Sequence, residues 1–486
     1  MVRVCLNHTR YRQWLREEVA RLPAETRERL HLWEKELHFC WHADLDALLP
    51  LLCRRYSTAG RPARDPGAML RCFLLMIVSC CKRPTEWFQR LIKEPVLAVA
   101  AGFSPDDPPR VASFYDFLAR FHPGPRRRSA LRRPAARRLR PKPGEKLPPS
   151  RRALLRRMVQ HLIHTAGNGR TPDYVWNELL CQVVTGSVAR GLIPRADALA
   201  CAADGTPLDS GCYSQGIKTC NCPKTRRCDH LRLYTDPGAL NGYDSYRHRW
   251  FVGRHLQTLI EANSGYGLPL WLNLEPANCN DAVSGAIVLH RACEHYADSD
   301  ITLRYGLFDK AYEGEPFLRL CYHHHIDPVV ARKRPAKIKA KVARRLAKQG
   351  VHLSPQGVPV CQAGLPMRSR GHSKPHVWAW TCPRTGDCDT PCPFAHRSLC
   401  LNALDDPRAL TPVPSATQAR KTLFKRRTAV ERWHAWLDHT EVQNARHIRD
   451  YLWCGRCALA AIAWHLKHWA GDVADNWLHD TLLATT

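Results

Sequence analysis

The chain has no long apolar run. Its most hydrophobic stretch, MLRCFLLMIVSCC at 69–81, carries Arg71 and is too short to cross a bilayer, so no membrane span is expected. The opening residues, MVRVCLNHTRYRQWLREEVARL, lack the apolar core of an export signal. Acid is scarce as well: 44 Asp and Glu stand against 73 Lys and Arg, a formal net charge of +29, which points to a polyanionic partner. Hydrophobic residues at 44% match ordinary globular usage, so this charge is added to a foldable chain and wholesale disorder is not expected. Cysteine, in contrast, is abundant, with 22 in 486 residues. Without an export signal these thiols belong in a reducing compartment, the cytoplasm, where they pack or bind metal more often than they form disulfides.

Residues 1–124 read as a helical domain, with Asp65-Pro66 at a helix start and Met69, Phe73, Leu74, Ile77 and Val78 at helical spacing. One further helix is expected over 86–99. A basic linker with helices follows over 125–194. Its first part, PRRRSALRRPAARRLRPKPGEKLPPS, holds one acid and six prolines, and should stay extended until it meets phosphates. Arg126, Arg127, Arg128, Arg132 and Arg133 are its candidate DNA contacts, against the plainer reading of a solvated spacer. A helix then places Leu154, Leu155, Met158, Leu162 and Ile163 opposite four arginines.

Over 195–331 the pattern turns to strands, at 199–206, 250–260, 268–274, 301–308 and 327–331, with helices at 281–296 and 316–322. The order is three strands in an antiparallel meander, then helix, strand, helix, strand. Residues 332–414 form a basic, Cys- and Pro-rich insertion in which little regular structure is expected. Residues 415–486 return to helix, and Trp433, Trp436, Trp453, Trp464 and Trp469 suit a helical core better than a base-stacking platform.

Asp204 ends the first strand, Asp309 follows the fourth, and Glu431 lies on a helix after the fifth. Neighbouring strand ends and a packed helix can converge three such carboxylates. Converged carboxylates repel unless hard cations sit between them, and two magnesium ions so held suit in-line displacement at phosphorus. Each acid alone is weak, and Asp209, Asp236, Asp244 and Asp281 compete for the same roles. What separates the three is the local wording around them.

Ala203-Asp204-Gly205-Thr206, Phe308-Asp309-Lys310-Ala311-Tyr312-Glu313 and Arg427-Thr428-Ala429-Val430-Glu431-Arg432-Trp433 resemble the three acidic signatures of DDE-type transposases of bacterial insertion sequences. The likeness extends to the N-terminal helical unit from Gly60-Arg61-Pro62 through Phe114, and to 232–244 with the strand after it. It implies an α/β, ribonuclease H-like mixed five-stranded sheet with helices, beside an N-terminal all-helical domain. It further implies strand cleavage and transfer by Asp204, Asp309 and Glu431 with two magnesium ions, for which manganese substitutes. The partners so implied are double-stranded DNA, both inverted-repeat ends and target, bound by a homodimer in a prokaryotic nucleoid. Around the third acid the family register reads Phe424, Arg427, Glu431 and Asp438 here. Arg427 suits phosphate neutralisation, whereas Asp438 and Phe424 stand where Lys and Tyr are usual. An impaired or domesticated transposase that only binds DNA is the alternative.

The stretch between Asp309 and Glu431 is far longer than one strand and a crossover require. It holds Cys361, Cys382, Cys388, Cys392 and Cys400. Cysteine pairs followed by proline recur in the resembling transposases, which favours Cys361, Cys382, Cys392 and Cys400 as zinc ligands, against free buried thiols. A second group, Cys212, Cys220, Cys222, Cys228 and His230, lies between the first two strands. Its Cys220-Asn221-Cys222 is tighter than a usual two-residue knuckle, so a shared metal with Cys212 and Cys228 stays open. His323, His324 and His325 point in different directions along a helix and are expected on the surface.

Overall fold

The computed structural model describes residues 5–57, 59–60, 62–122, 129–133, 150–165, 174–195, 198–223, 228–332, 337–384, 393–414, 417–471 and 478–483. Nine strands organise the part that carries the acids. They are β1 (Ala130–Arg132), β2 (Leu199–Asp209), β3 (Ile217–Lys218), β4 (Arg232–Tyr234), β5 (Leu240–Asp244), β6 (Arg249–Glu261), β7 (Pro269–Pro276), β8 (Leu303–Phe308) and β9 (Asp327–Val330). The central sheet runs β5-β6-β2-β8-β9, with β7 also pairing β6. The long β6 uses one edge for β2. Its other edge is shared, β5 taking 249–253 and β7 taking 254–260. β2, β6 and β7 are antiparallel, while β8 and β9 run parallel to β2. The five expected strands are all present, and β5 adds a sixth within 232–244, where no strand was expected.

The parallel pairs require crossovers, and helices supply them. Asp281–Tyr296 carries the chain from β7 to β8 and Glu315–His323 carries it from β8 to β9. Asn280 caps the first, accepting from the Ala282 amide at 3.2 Å. The helix Tyr174–Ala189 lies against β7, and its buried Asn177 pairs with both backbone groups of Leu272, donating at 2.8 Å and accepting at 2.9 Å. An amide in mid-helix is tolerated there because both its polar ends are satisfied.

The apolar core is continuous from the N-terminal helices into the sheet. Its link is the helix Asp450–Ala470, packed on Pro66–Val78, Glu34–His42, Tyr174–Ala189 and β7. Buried Arg456 on this helix donates to the carbonyls of Cys81 at 2.8 Å and Thr440 at 3.0 Å. Trp433, Trp436 and Trp453 are buried, with Trp464 and Trp469 packed against them, as a helical core demands.

Two expectations change in the helices. The helix over 86–99 is two, Pro84–Lys93 and Pro95–Ala101, because Pro95 has no amide hydrogen to continue the first. In Arg151–His164 the buried residues are Leu155 and Val159, with Leu162 and Ile163 packed on the core as expected, while Leu154 is exposed.

The insertion has far more structure than its composition suggested. Antiparallel strands Arg368–Lys374, Val377–Thr381 and Leu399–Asn402 form a sheet. Val342, Leu346, Met367, Trp380, Phe394 and Leu401 build a separate core beneath it. Alternation in Val377-Trp-Ala-Trp-Thr and the helix Ala340–Ala347 supply that core, so apolar burial holds this unit together. Among the described residues, no helix is long and apolar enough to cross a membrane.

Candidate active site

Asp204 sits on β2, and the parallel register with β8 sets Ala202 opposite Leu307. Two residues further along each strand stand Asp204 and Asp309. Asp309 leaves β8 as the cap of the short turn Lys310–Tyr312, its Oδ1 accepting from the Ala311 amide at 2.6 Å. Asp204 Oδ1 accepts from the Gly205 amide at 2.9 Å. The third acid, Glu431, is in the first turn of Ala429–His439. Arg427 joins it to the sheet, with Nη1 at 3.3 Å from Asp204 Oδ2 and Nη2 at 3.6 Å from Glu431 Oε1.

That helix is held against the sheet directly beside the acids. Trp433, fully buried, donates from Nε1 to Thr258 Oγ1 at 3.1 Å, and Thr258 is the cross-strand partner of Asp204. Gln443 donates to Thr206 Oγ1 at 3.1 Å, two residues past Asp204. Gly267, at φ +68°, lets the β6–β7 turn pass beneath Ala429: a Cβ there would fall 2.4 Å from the Ala429 carbonyl oxygen.

Burial pushes the Asp204 carboxyl up to about 6. The Gly205 amide and Arg427 act against that rise, and Asp309 and Asp281 add to it. Asp281 is raised by its own burial, with His255 opposing and Asp309 adding. His255 Nε2 lies 3.5 Å from Asp281 Oδ1, and burial lowers the ring's basicity. His434, on the Glu431 helix, is pushed down to about 4 by burial, with His255 and Arg427 adding to the effect. Buried Tyr312 accepts from Gln257 Nε2 at 2.8 Å beneath the acids.

The competing acids now separate. Asp209 pairs with Arg249 at 2.7 Å. Asp236 pairs with buried Arg254 at 2.7 Å, and Asp450 closes on the same guanidinium. Asp244 accepts from the amides of Tyr246 and Arg247, both at 3.0 Å, to shape the β5–β6 turn. Asp281 alone of the four joins the cluster. The sequence had it only as one of four competing acids, and His255 and His434 beside it are the part of the site that the sequence reasoning missed.

The remaining candidates lie elsewhere. Asp438 faces Arg247 at 3.7 Å, and Phe424 packs partly buried on the core. Arg132 stacks over Tyr234 at 4.2 Å, where β1 pairs with β4, so this piece of the arm is a strand instead of free chain. The open edge of β4 and the face of Tyr234 account for it. Arg133 is exposed, and Arg126, Arg127 and Arg128 lie outside the described residues. Cys361 and Cys382 are buried and Cys400 is exposed; they do not gather into a three-ligand group, and Cys392 lies outside the described residues. Cys361 packs in the insertion's apolar core, which removes the need for a metal to hold it. Among the three adjacent histidines, His324 is not a surface residue. Its Nε2 lies 2.8 Å from His290 Nδ1, and His325 stacks on His376.

Acids on the neighbouring parallel strands β2 and β8, with a helix returning to the sheet beside them, mark a ribonuclease H-like fold. Residues 214–447 match the family model described as the transposase DDE domain, a span that contains Asp309 and Glu431 and begins past Asp204. This stretch of the chain is thus similar to the DDE domain of transposases. No curated protein and no solved structure matches the chain.

Proposed function

We propose that the chain is an active DNA transposase, a polynucleotidyl transferase that cleaves the ends of a mobile element and joins them to target DNA. Asp204, Asp309 and Glu431 are its catalytic carboxylates in this reading. The observation that carries it is the β2–β8 register, which sets Asp204 beside Asp309, together with Arg427 reaching from Asp204 to Glu431. An all-oxygen donor set in which burial opposes charge on Asp204 suits hard divalent cations, magnesium or manganese. Two such ions held by the three acids would supply an activated hydroxyl and stabilise the leaving oxygen.

The protein's own groups do the rest. Arg427 presents a fork of donors at the acids and is placed to turn toward a phosphate oxygen of bound DNA. The Gly205 amide and the Ala311 amide orient one oxygen each of Asp204 and Asp309. The net charge of +29 and the arm ahead of residue 150 supply sequence-independent grip on the backbone. Pairing of two element ends calls for a homodimer on DNA.

The test compares magnesium-dependent nicking of DNA bearing the flanking repeats by the wild type and by Asp309→Asn. Nicking should fall roughly a hundredfold or more, with DNA affinity retained. Equal nicking by both proteins refutes the carboxylate assignment. Binding without nicking by the wild type refutes catalysis and leaves the DNA-binding alternative.

A further inference from the structure

Away from the acids, the loop joining β3 to β4 carries three cysteines and a histidine that the reaction does not use. Cys220 and Cys222 follow β3, and Cys228 and His230 precede β4. One donor atom from each of the four lies within 4.8 Å of all the others. Cys220 Sγ is 3.5 Å from Cys228 Sγ, and Cys222 Sγ is 3.4 Å from His230 Nδ1. With metal–sulfur bonds of about 2.3 Å and metal–nitrogen bonds of about 2.0 Å, tetrahedral angles set these separations at about 3.8 Å and about 3.5 Å. A disulfide would bring the sulfurs to about 2.05 Å. The contacts pair residues across the hairpin, 220 with 228 and 222 with 230, so the tight Cys-Asn-Cys spacing is no obstacle. Neither cysteine of that pair has to close a knuckle with the other. Cys212, which the sequence reading grouped with them, is not part of the cluster.

We propose that Cys220, Cys222, Cys228 and His230 form a structural zinc site. Three thiolates and an imidazole in a tetrahedron select zinc over magnesium, which takes oxygen donors. All four positions are filled by protein, which marks a structural site and leaves no place for a substrate. The surrounding chain is already shaped for it. Lys218 Nζ donates to the carbonyls of Cys222 at 3.2 Å and Pro223 at 2.8 Å, and Thr219 Oγ1 donates to the Leu231 carbonyl at 2.7 Å.

The fold around the site shows why a metal is needed there. The small sheet β1-β4-β3 has strands of three, three and two residues. Leu131 and Ile217 on it are exposed, as is Leu231 just before β4, and Tyr234 is its one buried apolar side chain, so little apolar burial supports it. Metal binding supplies folding free energy where a core cannot. The zinc would clamp β3 to β4, and β4 in turn pairs with β1 of the arginine-rich arm, whose Arg132 lies over Tyr234. The site therefore fastens the basic arm to the unit that carries the acids. This inference does not depend on the protein being an active transposase.

The full chain, purified under reducing conditions, tests it. Zinc is measured by mass spectrometry, and thiols are alkylated with and without prior chelation. Cys220, Cys222 and Cys228 should be protected only while zinc is bound, a readout that needs no variant. The double variant Cys222→Ser/Cys228→Ser should lose one zinc per chain, whereas Cys382→Ser should lose none. Cobalt in place of zinc should give the visible absorption of a tetrahedral thiolate site, and His230→Cys should keep the metal with that band shifted. Equal alkylation with and without zinc, or unchanged zinc in the double variant, overturns the proposal. So does recovery of Cys220 and Cys228 as a disulfide in metal-free protein.

Discussion

The hydrogen bond from Trp433 to Thr258 ties the helix of the third acid to the strand opposite the first, and a double-mutant cycle isolates it. Trp433→Phe leaves Thr258 Oγ1 buried without its donor, at a cost of about 1–3 kcal/mol. The missing part of the indole adds a hole of roughly 40 Å³, worth about 1 kcal/mol at ~24 cal/mol per Å³. Thr258→Val keeps the shape and leaves the Trp433 N–H unpaired in a fully buried position, again about 1–3 kcal/mol. The double variant removes both partners, so it should cost about 1–2 kcal/mol less than the two single changes together. Urea unfolding followed by circular dichroism, compared at a common denaturant concentration near the midpoints, measures the coupling. Glu431 lies two residues from Trp433, so Trp433→Phe should also slow nicking while DNA affinity holds. A coupling within about 0.5 kcal/mol of zero, with nicking unchanged, would refute the claim that this bond positions the helix.

A second perturbation is Gly205→Ala. The added Cβ would fall 2.1 Å from His255 Cε1 and 2.4 Å from Nε2, so the ring must leave Asp281, at about 1–3 kcal/mol; thermal melting should show the loss, and His255→Ala in the same background should recover much of it. Acid should destabilise the protein between about pH 6.5 and pH 4. Burial pushes His434 and His465 down to about 4 and His447 to about 3, so the unfolded chain binds more protons than the folded one across that range and stability falls with pH. Raised carboxyls act in the opposite direction, Asp204 from about 6 downward with Glu261, Asp281 and Asp327 beside it, but His8 and His42 at about 4 and His324 at about 3 add to the histidine side, which outnumbers them. His465 is held neutral by burial, flanked by Ser187 Oγ and the Pro269 carbonyl, each at 2.8 Å, so His465→Gln should flatten the acid limb of a melting-against-pH curve, by roughly a sixth where the six histidines lowered to about 4 or about 3 contribute alike.

Much of the acid-bearing unit was legible because its signals are local. Alternation in 250–260 and the apolar run of 199–206 mark β6 and β2, and the 3.6-residue pattern of 281–296 coincides with the helix observed. Asp309 was legible because it follows the end of β8, whereas Asp204, expected at a strand end, lies inside β2, which runs on to Asp209 because β6 pairs with it that far. What escaped notice depends on partners distant along the chain. His255 and His434 carry no signal in their own segments, and Asp281 could not be told from the other competing acids until β6 brings His255 against it. Strand β5 has the turn-like composition of Leu240-Asn-Gly-Tyr-Asp and becomes a strand only because the overlong β6 leaves an edge for it. The insertion was misread for a related reason. Its prolines and cysteines dominate the composition, while its core draws on single apolar residues scattered from Val342 to Leu410.

The length of that insertion is compatible with an intact site because it leaves and rejoins the sheet at nearly one point. At its root, the Lys339 amide donates to Asp406 Oδ2 at 2.8 Å. Immediately after it, Arg420 on the helix Gln418–Lys425 donates to the carbonyls of Val413, at 3.3 Å, and Val330, the last residue of β9. The chain that reaches Arg427 and Glu431 is therefore anchored to the end of β9 and does not hang from the far side of the insert. Closing a longer loop adds entropy only as the logarithm of its length, and an insert with its own core supplies its own folding energy. The spacing between the second and third acids is thus free to vary while the β2–β8 register and the Arg427 contacts stay fixed. Sequence separation between such acids carries little information about their geometry; the residues at the two ends of the insertion carry much more.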